Sequence, residues 1–271
     1  MTNLGTSDRW DPIVTPWHLD EYIAAFPVSV GATEEAMPTL PAGSVPARMS
    51  LLHRAVANAV AETARPLVLS GDCPTARAAV AGLQRRHDDL AVVWLDAHGD
   101  FNTPAISTSG YLGGMAISML TGRTPELFDD ALGLRPVPDT NIVLAGARDL
   151  DPAERDALID SHVRRVPADP AAITSALDGL GRTPVYLHLD VDVIDSTELP
   201  GLRFPSGAGP SVSQIEECLA AVCAVADVVG AGIACAWLPD CLGDESTLGA
   251  ISRLAGALGA DLLWQEHLPP A

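Results

Sequence analysis

The chain is 271 residues long and carries 35 acidic residues against 16 basic ones, a formal net charge of −19. Every basic residue other than histidine is an arginine, which excludes Schiff-base lysines, pyridoxal-phosphate attachment and the phosphate-binding lysine of a P-loop. Such acidity argues against nucleic acid as a partner and favours the approach of a cationic small molecule.

The opening MTNLGTSDRWDP is polar and lacks the basic-then-apolar pattern of a signal peptide. Residues 27–46, rich in Pro, Gly and Ser, read as a surface loop. Short apolar runs then recur: LVLS (67–70), LAVVWLD (90–96), NIVLAG (141–146), PVYLHLDVDV (184–193) and VVGAGIACAWL (228–238). Most do not alternate strictly, as expected of strands buried on both faces. Ala-rich segments of helical period lie between them, at 74–87, 152–160, 170–179, 211–226 and 245–258. The helix at 152–160 has Asp151 as a capping candidate, Pro152 at its first position and Glu154 just inside. Strand alternating with helix predicts an α/β fold: a single three-layer domain over 1–271, mostly parallel sheet with helices on both faces. No apolar run reaches the roughly 18 residues of a membrane span. Five scattered cysteines without disulfide-like spacing suit a reducing, cytoplasmic compartment.

In parallel α/β sheets ligands bind beyond the carboxyl ends of the strands. Asp96, His98 and Asp100 follow one apolar run, and Asp190 and Asp192 end another. Carboxylates and imidazole together are a ligand set for a divalent metal. Paired carboxylates on a buried strand repel one another and desolvate badly without a cation. An Asp after a strand is also a common cap or turn residue, but two such clusters on two apolar strands favour metal, and they suffice for two bridged ions.

WLDAHGDFNTP (94–104) resembles the Asp-Ala-His-x-Asp-x-Asn signature of the arginase and agmatinase family, the ureohydrolases. HLDVDVIDSTELPG (188–201) resembles its second aspartate signature, with Ser196 where proline is usual, and SGDCPT (70–75) its Gly-Gly-Asp-His-Ser segment. The resemblance implies two manganese ions, one held by Cys73, Asp96, Asp100 and Asp190 and the other by Asp96, His98, Asp190 and Asp192. A hydroxide bridging them would attack a guanidinium carbon, with Asp100 moving its proton to the leaving amine. It also implies that Asn102, Ser109, Asp151 and Glu154 bind the amino-acid end of the substrate. For Asp151 and Glu154, helix capping is a compatible alternative.

Three positions depart from the family. Cys73 replaces a histidine ligand; a small buried residue without ligation is the other reading, though a thiolate there suits softer metals than manganese. Gly113, in TSGYLGGMA (108–116), stands where arginases place the histidine that acts as acid and base, and Tyr111 replaces a neighbouring asparagine. IACAWLPD (233–240) lacks the usual guanidinium-binding acid; Ala236 aligns with it, and Asp240 and Glu245 lie near. The amino-acid end is thus kept while the guanidine end is altered, which suggests a less basic, modified guanidine. Cys73 with Gly113 resembles the branch of the family that hydrolyses Nω-hydroxy-L-arginine to L-ornithine and hydroxyurea in D-cycloserine biosynthesis. An arginase proper, or a catalytically impaired metal-binding relative, are the alternatives. The chain ends soon after its last core element, and a monomer is expected. The remaining cysteines and the tryptophans, Trp94 and Trp237 among them, read as packing residues.

Overall fold

The computed structural model describes residues 9–24, 26, 28–29, 34–35, 38–128, 130–234, 237–238, 241, 245–262 and 264–265. Its strands are β1 (Asp11–Thr15), β2 (Trp17–His18), β3 (Glu21–Tyr22), β4 (Val28–Ser29), β5 (Glu34–Glu35), β6 (Pro66–Ser70), β7 (Ala91–Leu95), β8 (Ile142–Ala145), β9 (Arg164–Val166), β10 (Val185–Asp190), β11 (Val228–Ala234) and β12 (Trp264–Gln265). The helices are α1 (Val45–Glu62), α2 (Ala76–Leu83), α3 (Ala116–Leu120), α4 (Pro152–Ile159), α5 (Pro170–Asp178), α6 (Val212–Val225) and α7 (Glu245–Ala257). Eight strands form one sheet in the order β5-β1-β6-β11-β10-β7-β8-β9, and every pairing in it is parallel. β2 with β3 and β4 with β12 make small antiparallel pairs.

The central strands are apolar throughout because both faces are covered. Along β7, Ala91, Val93 and Leu95 join one core with Ile173 of α5, Ile215 and Leu219 of α6 and Leu254 of α7. Val92 and Trp94 point the other way, into a core with Val56 of α1, Val80 of α2, Ile117 of α3 and Leu158 of α4. This is the expected three-layer α/β architecture. No helix among the described residues is long and apolar enough to cross a membrane.

The five apolar runs all form strands. The fourth ends at Asp190 and turns into a 3-10 segment at Val191–Val193. The fifth ends at Ala234; Trp237 instead bridges Leu202. The 27–46 reading needs correction, since it holds β4 and β5 and runs into α1. That helix buries Met49, Leu52, His53, Val56, Ala57 and Val60 along one stripe, with a proline in its first turn. β10 and β11 return late in the chain to fill the gap between β6 and β7, so the ends of β6, β10 and β7 face one crevice.

Candidate metal centre

Cys73 sits just beyond β6. Gly71 before it packs so tightly that a Cβ would lie 2.5 Å from the Trp17 carbonyl oxygen. Asp72 is buried and accepts hydrogen bonds from the Leu19 amide, the Thr75 amide (2.9 Å) and the Thr75 hydroxyl (2.7 Å), an Asx turn that starts α2 and turns Cys73 inward. The Cys73 thiol donates to Asp190 Oδ2 at 2.8 Å, and His188 Nε2 lies 3.3 Å from its sulfur. His188 stacks on Trp94 with centroids 3.6 Å apart, and the Trp94 indole N–H donates to Asp96 Oδ2 at 2.9 Å. Trp94 is therefore more than packing, a correction to the sequence reading, and it and His188 buttress two candidate ligands from behind. The spacing of two between Trp94 and Asp96, and between His188 and Asp190, was the available signal: it puts both pairs on the same sides of neighbouring strands.

Beyond β7, Asp96 Oδ1 accepts from the His98 amide at 2.7 Å. His98 Nδ1 lies 3.1 Å from Asp192 Oδ2 and 3.4 Å from Asp96 Oδ1. Asp100 has φ of +48°, a conformation that Asp tolerates better than most residues. Its carbonyl accepts from the Ile117 and Ser118 amides at the start of α3, and its buried Oδ2 has no hydrogen-bond partner. Asp190 Oδ1 accepts from the Asp192 amide at 3.0 Å, closing the turn that brings Asp192 back to the site. Two ligand groups result, Cys73–Asp96–Asp100 and Asp96–His98–Asp192, each with donor atoms within 4.8 Å of one another and sharing Asp96. Asp190 adjoins the first group through its contact with Cys73.

The electrostatics call for a cation. Burial, then the charges of Asp96 and Asp190, holds the Asp100 carboxyl well above the usual range. Burial, then Asp192 and Asp96, does the same to Asp190. Asp192 is pushed up to about 6 by burial and by Asp96. Burial, then Asp190, raises the Cys73 thiol. Burial disfavours a charged His98, yet its hydrogen bonds to Asp192 and Asp96 outweigh this and push it up to about 12. The cluster thus retains protons that a divalent cation would displace, and the oxygen, imidazole and sulfur donors fit such an ion.

A cavity of about 290 Å³ opens over this cluster and extends to Asn102, Ser109 and Asp151. Asn102 Nδ2 reaches Asp151 Oδ2 at 3.4 Å, while its Oδ1 is buried without a partner. Ser109 is exposed on the rim, its hydroxyl accepting from the Tyr111 amide. Asp151 occupies the N-cap position of α4 but makes no side-chain cap bond, contrary to the capping expectation; its carboxylate accepts instead from Asn102 and Thr108. Glu154, in the first turn of α4, accepts from the Phe101 amide at 2.9 Å. Ala236 and Asp240 lie outside the described residues, and Glu245 is exposed at the start of α7.

A profile of the Arginase family matches residues 21–251, and the chain belongs to that family. The N(omega)-hydroxy-L-arginine amidinohydrolase of Streptomyces lavendulae is 35% identical over 148 residues, which is 54% of this chain and 52% of that protein. An arginase of Staphylococcus aureus is also 35% identical, over 161 residues, 55% of this chain and 53% of that one. The chain thus spans about half the length of the curated relatives it matches. The crystal structure of arginase from Bacillus cereus superposes with a TM-score of 0.79 at 22% identity, covering 92% of this chain and 98% of the other, a likeness of fold.

Proposed function

We propose that this chain is an amidinohydrolase that uses two manganese ions to hydrolyse Nω-hydroxy-L-arginine to L-ornithine and hydroxyurea, a step suited to D-cycloserine biosynthesis. The observation that carries this reading is the single cavity joining the metal-type cluster to Asn102, Ser109 and Asp151. One end can hold ions, and the other offers carboxylate, amide and hydroxyl groups to the α-amino and α-carboxylate groups of an amino acid. When bound, the two ions would supply a water acidic enough to attack a guanidine carbon near neutral pH. Cys73, Asp96, His98, Asp100, Asp190 and Asp192 would hold them.

The water oxygen bonds to the guanidine carbon, and the bond from that carbon to the side-chain nitrogen breaks. That nitrogen leaves as the δ-amine of ornithine, and the carbon keeps its N-hydroxyl nitrogen in hydroxyurea. Asp100, whose Oδ2 is buried without a partner, is placed to accept the proton of the attacking water and return it to the leaving nitrogen. With glycine at 113, no imidazole comes from that position, which supports the hydroxylated substrate over arginine.

The unpaired thiols of Cys73, Cys218, Cys223 and Cys241 support a reducing, cytoplasmic setting. Among the described residues the large exposed apolar side chains are scattered, Val45, Ile159 and Val225 on three different helices and Leu238 outside any element, which supports a monomer. The deciding experiment measures ornithine release from hydroxyarginine and from arginine by manganese-loaded protein, together with metal content. Two ions per chain and at least tenfold preference for hydroxyarginine are expected. Equal rates indicate an arginase, and fewer than two ions with no turnover a metal-binding relative.

A further inference from the structure

Gly113 is buried, and its backbone is not in the left-handed region, so its dihedral angles admit any residue. What excludes a side chain is Tyr111: a Cβ at 113 would overlap Cε1, Cζ and the hydroxyl of its ring. Tyr111 cannot easily move aside. Its ring lies 4.9 Å from that of Phe204 and stacks on His18, 5.9 Å away with planes 14° apart. Its hydroxyl is 3.1 Å from His18 Nε2. On the far side of the imidazole, Nδ1 lies 2.9 Å from the Gly71 carbonyl oxygen, which can only accept, so Nδ1 carries the hydrogen. In the neutral ring Nε2 is then an acceptor, and the Tyr111 O–H donates to it. The phenol oxygen keeps its lone pairs for the cavity that Tyr111 lines beside Cys73 and Asp100.

We propose that Tyr111 and Gly113 form one steric unit, and that Tyr111, braced by His18, is the specificity-determining residue at the distal end of the substrate, accepting a hydrogen bond from its N-hydroxyl. The second part rests on the hydroxyarginine reading above; the first does not. A phenol already committed as a donor offers an acceptor only. The N-hydroxyl of a hydroxyguanidine supplies a donor one atom beyond the guanidine, and arginine has none there.

The steric unit is tested by melting temperature in metal-free protein. Gly113→Ala should lower Tm by about 4 °C or more with Tyr111 present. The same loss should persist in Tyr111→Phe, which keeps the ring, and fall within about 1 °C in Tyr111→Ala. Equal losses in all three backgrounds overturn the unit. For specificity, Tyr111→Phe should cut the kcat/KM ratio of hydroxyarginine to arginine about tenfold, the scale of one lost hydrogen bond. An unchanged ratio overturns that role. A wild-type chain that turns over neither compound overturns the substrate reading and the specificity role together, while the Tm cycle still decides the steric unit.

Discussion

Asp100 concentrates the conflict between stability and chemistry in one residue. It holds a left-handed φ, buries a carboxylate oxygen without a partner, and faces Asp96 and Asp190. Because its folded pKa is raised, the stability it contributes is complete only below the ordinary carboxylate range and is lost as pH rises. Asn tolerates the same backbone and carries no charge. Asp100→Asn should therefore melt with wild type near pH 4 in chelator and about 2–5 °C above it at pH 8, while the proposed hydrolysis of hydroxyarginine should fall by about 100-fold or more. Thermal melts at the two pH values with a steady-state assay check this; an unchanged Tm at pH 8 would mean that the charge is relieved some other way. Asp96, His98, Asp100, Asp190 and Asp192 were legible in the sequence because they follow apolar strands at short spacing, whereas Cys73 stood out only through the resemblance of SGDCPT to the family's segment. The space at Gly113 was not, since its occupant depends on a ring that His18, from nearly a hundred residues earlier, holds in place.

Among the elements, the strand ends are tied by Arg148, which follows β8. Its guanidinium donates to the carbonyls of Val193 (3.0 Å), Ser206 (3.1 Å) and Gly207 (2.9 Å), with longer bonds to Gly146 and Asp192, and its amide donates to the Ala97 carbonyl at 2.8 Å. One residue thus fixes the turn carrying Asp192 against the ends of β7 and β8. A lysine keeps the charge but not the planar fork of five donors. Arg148→Lys should lower Tm by about 4–8 °C, the effect of roughly 2 kcal/mol in a chain of this size, and weaken binding of the second manganese about tenfold. Wild-type Tm and metal titration in Arg148→Lys would show that charge alone suffices. In the sequence the stretch ARDLDPAER stands out for Asp151 and Glu154, and the structural part of Arg148 emerges only with the 193–207 segment folded beside it. The same contrast runs through the fold. Central strands such as AVVWL declare themselves by being apolar at every position, whereas β9 is Arg-Arg-Val at a sheet edge and β1 begins Asp-Pro. α1 is masked in the sequence by the Pro- and Gly-rich stretch that runs into its first turn, although it buries the stripe Met49, Leu52, Val56 and Val60.

For the molecule as a whole, the parallel sheet gathers Asp96, Asp100, Asp190 and Asp192, a small part of the 35 acidic residues, at the ends of its central strands. Without a cation, Asp100, Asp190 and Asp192 have raised pKa values, so their contributions to stability decline as pH rises, Asp192 passing through about 6. His98, raised to about 12, contributes fully below the ordinary imidazole value and less above it. Asp96 is shifted the other way: burial opposes its charge, but His98 outweighs burial and lowers its pKa, so its contribution is lost only in acid. Between pH 5 and 8 the balance is a metal-free chain that weakens as pH rises. Manganese at the proposed site would bind the deprotonated forms and displace the His98 proton, so its affinity should move oppositely, strengthening with pH. Each ion at 100 times its Kd adds about 2.7 kcal/mol, and two ions correspond to roughly 10–20 °C for a chain of this size. The Tm difference between manganese-loaded and chelated protein should accordingly be small at pH 5 and approach that range at pH 8. Asp192→Ala should retain no more than about half of the shift, having lost a ligand of the group centred on His98. Scanning calorimetry across that pH range measures both, and a pH-independent difference would show that the ions bind without displacing protons from this cluster.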